Sequence, residues 1–191
     1  MKRVRTIAAI VTLLGASCVL AQNADSTAPK AASDKLQPSP EMQRLLDVFA
    51  GNWAVAEHFE VSASRQGQMR QGTASFRAGP GFSLIEDYRS TGSAGELNFL
   101  ALVWWDQKAQ VYRFLTCANN DGCVLRGTAK WEGNELVNSW TENADGKKAA
   151  LKDSFVDISR SSFRLISEGS ADGKVIWRVI TKYTRIPETD K

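Results

Sequence analysis

The chain has 191 residues, 43% of them apolar, the size and composition of one domain with a sizeable core. Its 24 Lys and Arg against 21 Asp and Glu give a formal net charge of +3. Lys2, Arg3 and Arg5 supply that excess, leaving 21 bases against 21 acids in the remainder, a balance that argues against nucleic-acid binding.

The opening MKRVR is cationic, and IAAIVTLLGASCVLA after it is an apolar core of signal-peptide length, too short for a membrane span. Cleavage is expected after Ala21, making residues 1–21 a signal peptide and the destination periplasmic or secreted. The alternative is lipoprotein anchoring through Cys18. Its approach, Leu14-Gly15-Ala16-Ser17, resembles a lipobox with the leucine one position early. No later segment is long and apolar enough to form a transmembrane helix. Residues 22–38, rich in Ala, Ser, Pro, Asp and Lys, read as a flexible leader.

One helix is expected at 40–50. Ser39 suits the N-cap, Pro40 the first turn and Glu41 the helix dipole, with Gly51 ending it. Met42, Leu45, Leu46 and Phe49 form one apolar stripe.

The rest of the chain has period two. Strands are expected at 52–61, 67–77, 81–90, 96–105, 110–117, 123–131, 134–142, 150–158, 162–168 and 174–185. Turn pairs Asp121-Gly122, Glu132-Gly133, Asp145-Gly146 and Asp172-Gly173 join several of them. No gap holds a crossover helix, so the chain is a meander, and closure into a barrel hides its edges best. The expected fold is all-β: a closed or nearly closed antiparallel meander barrel of about ten strands with a short N-terminal helix, spanning residues 39–187 as a single domain.

The periodicity also sorts faces. Trp53, Val55, Phe59 and Val61 share a side, as do Phe82, Leu84 and Tyr88. Tyr112, Phe114 and Thr116 form another set, and Leu125, Gly127, Ala129 and Trp131 another. Leu136 goes with Trp140, Leu151 with Phe155, and Val175 with Trp177, Val179 and Tyr183. Such an inner face is either a filled aromatic core or the wall of a cavity for a small hydrophobic or planar ligand.

Glu57, Glu86, Asn138 and Asp153 interrupt the apolar faces. Buried acids are costly unless paired or protonated, so these residues mark the polar end of a cavity, or else a slip in parity puts them outside. Glu57, Glu86, Tyr88, Tyr112, Trp140 and Asp153 are the candidate ligand-binding residues. Acid–base catalysis by Glu57, Glu86 or Asp153 is a third reading, after a binding barrel and a filled structural barrel, and no catalytic residue is assigned. The 96–105 strand is apolar on both faces, and its outer face (Leu100, Leu102, Trp104) needs a cover: the helix, or a second subunit in a homodimer.

Cys117 and Cys123 flank a turn, where cross-strand Cα separations of roughly 4.5–5.5 Å permit a disulfide. Two cysteines are too few for a structural zinc, and no metal or other cofactor is expected. The single histidine, His58, falls on the outward face with Ala54 and Ala56. Haem ligation would need it inside.

The stretch LLDVFAGNWAVAEHFE, with Gly51-Asn52-Trp53 opening the first strand, resembles the G-x-W signature of lipocalins and related calycin barrels. The resemblance implies that Trp53 closes the barrel base against a late-strand arginine, matched here by Arg185, with Arg178 as the alternative. Together with GPGFSLIEDYRS, a strand ending in Trp105-Asp106 and the terminal Tyr183-Thr184-Arg185, the chain resembles the bacterial domain-of-unknown-function family numbered 1579 over about residues 41–187. That family carries no common reaction to transfer. A looser similarity to nitrobindin-type haem barrels implies an opening helix and ten strands. Their iron ligand is a late histidine, and none follows His58 here.

Overall fold

The structure is a computed structural model describing residues 37–144 and 147–187. The expected signal peptide, Cys18 and all but the last two residues of the leader lie outside the described residues, as does the Asp145-Gly146 turn.

The helix α1 (Pro40–Phe49) starts where its capping residues require: Ser39 Oγ accepts from the Met42 amide at 3.3 Å. Ten strands follow: β1 (Gly51–Val61), β2 (Met69–Ala78), β3 (Leu84–Gly92), β4 (Gly95–Asp106), β5 (Val111–Ala118), β6 (Gly122–Glu132), β7 (Glu135–Ala144), β8 (Lys147–Val156), β9 (Ser162–Ala171) and β10 (Lys174–Arg185). Each pairs antiparallel with its neighbours in sequence, and β10 pairs with β1, closing the barrel. The expected fold class is what the chain adopts. The third strand begins at Leu84 rather than residue 81, because Pro80–Phe82 make a 3-10 turn. That turn takes Phe82 out of the strand it was expected to share with Leu84 and Tyr88.

The helix corrects one expectation. It does not cover the outer wall of β4; its buried face, Met42, Leu45 and Phe49, packs with Trp53, Phe76, Phe155 and Phe163 and plugs one end of the barrel. Phe49 stands edge-on to Phe155 and Phe163, with ring centroids 5.4 and 5.1 Å away. Leu100 of β4 therefore stays exposed outside. An apolar stripe at a helix's end of a barrel finds more buried surface among inward aromatics than on a convex outer wall, and burial decides the docking.

Leu125 is the second correction. Gly127, with φ of 52°, sits at a register shift where Arg113 faces Thr128 and Phe114 faces Arg126. This bulge flips parity: Ala129 remains buried inside, whereas Leu125 turns outward. Arg126 takes the inward position. A similar shift between Val175 and Trp177 leaves Val175 outside.

The Cys117–Cys123 disulfide joins directly paired residues of β5 and β6. Among the described residues, no helix is long and apolar enough to cross a membrane.

Candidate functional site

With α1 closing one end, the inner residues of the other half of the barrel do not fill it. They enclose a cavity of about 500 Å³ that reaches the surface beside the exposed Asn120, Asp121 and Glu142. Alternation along the strands points its lining inward, and small residues make the room. Ala101, the inward neighbour of Glu86 on the adjoining strand, and Thr116 opposite it on the next strand are among them. Aromatic walls come from Tyr88 and Phe99, stacked at 4.5 Å, and from Phe114, Phe155, Trp140 and Trp177.

Glu57 on β1 lies directly opposite Arg70 on β2. Its Oε2 accepts from Arg70 Nε at 2.8 Å and from the same guanidinium's Nη2. Its Oε1 accepts from the Tyr88 hydroxyl and from Ser90 Oγ at 3.0 Å. Four donors saturate this buried carboxylate, which offsets its loss of hydration. Burial and the Glu57 charge together raise the Tyr88 phenol above its ordinary range, so it remains a hydrogen-bond donor.

Glu86 on β3 has no such cation. Its Oε1 accepts from the Tyr183 hydroxyl at 3.2 Å, and burial pushes its pKa up to about 8, with the Asp153 charge adding to the rise and the Tyr183 bond opposing it. Asp153 on β8, opposite Ser167 of β9, is pushed up to about 6 by burial, against the Ser167 hydroxyl and the charge of Arg126. Near neutral pH, Glu86 is a buried neutral acid able to donate a hydrogen bond or a proton. Nearer the mouth, Arg126 bridges Asp121 and Glu142 and lies 5.7 Å from the Trp140 ring centroid.

The structure thus brings Glu57, Glu86, Tyr88, Trp140 and Asp153 into one cavity. Tyr112 is elsewhere. Its hydroxyl donates to the Glu41 carbonyl at 3.0 Å and accepts from Trp131 Nε1 at 3.2 Å, so it fastens α1 to the barrel and does not line the cavity. Asn138 is buried beside Asp153 but also outside the lining. His58 faces outward and is exposed. Among the described residues, no three His, Cys, Asp or Glu side chains converge as a metal site.

Sequence reasoning missed Arg70 and Arg126, and it grouped Trp177 with the inner face without naming it for the site. Arg70 shares parity with Gly72, Ala74 and Phe76, so the rule that found Glu57 would have found it. Arg126 is hidden by the Gly127 bulge.

At the plugged end, Gly51 carries φ of 133°, and the Arg185 guanidinium passes where its side chain would be. Arg185 lies 4.2 Å over the Trp53 ring and donates to Ala50 O at 2.7 Å, Val48 O at 3.3 Å and Arg160 O at 2.6 Å. Trp53 Nε1 donates to Phe49 O at 2.8 Å.

No protein-family model matches the chain, and no curated protein matches it. Among solved structures, it is similar to a de novo designed fluorescence-activating β barrel at 15% identity, covering 73% of this chain and 94% of that one with a TM-score of 0.40. Two redesigned β barrels bound to DFHBI, mFAP0 and mFAP1, are each 16% identical over 72% of this chain. They are covered to 99% and 95%, with TM-scores of 0.41 and 0.40.

Proposed function

We propose that this chain is an exported binding protein that holds a small hydrophobic or planar molecule inside its barrel. The observation carrying this reading is the aromatic-walled cavity of about 500 Å³ with a few convergent polar groups. Small-molecule sites have that volume and that mixture. Export is supported by the cationic–apolar opening of the sequence and by the Cys117–Cys123 disulfide, a bond favoured in oxidising compartments. A place among lipocalin-like barrels, near the family numbered 1579, is supported by the Gly51–Trp53–Arg185 arrangement at the closed end. A second reading, recruitment of a partner or of a second copy through the outer wall, draws on the exposed Leu100 and Leu125.

Native mass spectrometry of protein purified from its own cell envelope tests both. The expected result is a monomer carrying the mass of one small molecule, released on denaturation. Bare polypeptide, together with no one-to-one uptake of a hydrophobic dye, would remove the binding reading. A dimer without a ligand would favour the outer wall.

A further inference from the structure

We infer that the molecule held in this cavity is a planar organic cation, an aromatic ring system bearing a protonated nitrogen that the carboxyls of Glu86 and Asp153 receive. This rests on the binding reading above and names the chemistry of the occupant.

The charges facing the cavity do not balance. Five acids line it (Glu57, Glu86, Asp121, Glu142 and Asp153) against two bases, Arg70 and Arg126. Both bases are already engaged: Arg70 by Glu57, and Arg126 by Asp121 and Glu142. Glu86 and Asp153 belong to no ion pair among the described residues. Glu86 is only 8% exposed, and beyond the Tyr183 hydroxyl on Oε1 no protein donor among the described residues reaches its Oε2.

A buried carboxyl in that position is costly as an anion, and as a neutral acid it leaves donor capacity unused. An anionic guest would add a like charge to a wall already rich in acids. A neutral apolar guest would fill the space but leave the second oxygen of Glu86 without a partner. A protonated nitrogen resolves both: its N–H donates to the Glu86 carboxylate, the proton that Glu86 held departs to solvent, and the charge stays constant. The ring faces around it add attraction, since a cation near an aromatic face meets the negative side of its quadrupole. A planar ring suits the flat aromatic faces of the walls, among them Phe114, Trp140, Trp177 and the Tyr88–Phe99 pair.

Fluorescence titration with three tricyclic probes of one shape and different charge tests the inference: 9-aminoacridine (cation), 9-anthracenemethanol (neutral) and 9-anthracenecarboxylate (anion). The amine is expected to bind at least ~10-fold tighter than the alcohol, with the carboxylate weakest. The double variant Glu86→Gln with Asp153→Asn keeps side-chain volume and removes both carboxyls. It should weaken amine binding by about tenfold while leaving the alcohol within about twofold. The ranking on the unaltered protein decides the matter even should that variant fail to fold. Equal or tighter binding of the alcohol or the carboxylate overturns the cation assignment and leaves the hollow-barrel reading standing. Failure of all three probes to bind overturns both.

Discussion

Glu57 and Glu86 line the same cavity, yet only Glu57 has a cation beside it, while Glu86 is raised by burial without one. Arg70, Tyr88 and Ser90 surround Glu57 with donors. Glu86 faces Tyr183 from β10 and feels the charge of Asp153 from β8, with Glu57 and Tyr88 near on β1 and β3. Its pKa of about 8 stands above the ordinary 4.5, so between those values the folded protein keeps a proton that the unfolded chain has released. The stability this contributes is fully present below the ordinary value and is lost as pH rises through about 8. Asp153, raised from 3.8 to about 6, acts with the same sign over a lower window. Urea unfolding between about pH 5 and pH 8 should therefore show stability falling by on the order of 1.4 kcal/mol per unit in the Glu86 window. Glu86→Gln should flatten that slope. An unchanged slope in the variant would show that another group carries it. The positions of Glu57, Glu86 and Asp153 were legible because a two-residue period fixes which side a residue faces. Their partners were not, since the pairing of Glu57 with Arg70, 13 residues away, depends on strand register.

Elements were easier to find than to dock. All ten strands and the helix follow from periodicity, turn residues and capping, which are local signals. Where α1 goes is a competition between two apolar surfaces that no local signal resolves. Tyr112 shows the same limit: its residue type suggests a cavity wall, but its place under Glu41 makes it a fastener of the helix. Gly127 adds a subtler failure, because one extra residue in β6 reverses the parity of everything before it. The docking makes two positions behave oppositely. Leu45, 1% exposed against the inner aromatics, should cost about 2–5 kcal/mol as Leu45→Ala. Leu100, 43% exposed on the outer wall, should change stability by less than about 0.5 kcal/mol as Leu100→Ser. Denaturant unfolding of the two variants measures both. A large loss at Leu100 with a small one at Leu45 would put the helix, or a second subunit, over the outer wall instead.

For the whole molecule, closure is the property on which the cavity depends, because an open sheet of this length would flood its inner face and expose two edges. The edges meet at β1 and β10, where Trp53 pairs with Arg185 in register. Arg185 does more there than pair strands. Its guanidinium lies over the Trp53 ring while its nitrogens reach carbonyls at the end of α1 and in the β8–β9 connection. One side chain thus ties the last strand, the plug and a loop to the first strand, and Gly51 leaves it room. Trp53, fully buried, should cost about 3–5 kcal/mol as Trp53→Ala. Arg185→Ala should cost at least ~1 kcal/mol, because the partly buried Ala50 and Val48 carbonyls lose a charged donor. Arg185→Lys should recover only part of that, since an ammonium keeps the charge but cannot fork between carbonyls while lying flat on the ring. A double-mutant cycle by equilibrium urea unfolding should give coupling of at least ~0.5 kcal/mol between the two residues. Strictly additive losses would mean that the guanidinium and the indole act separately, and that strand pairing and the helix plug hold the barrel shut without them.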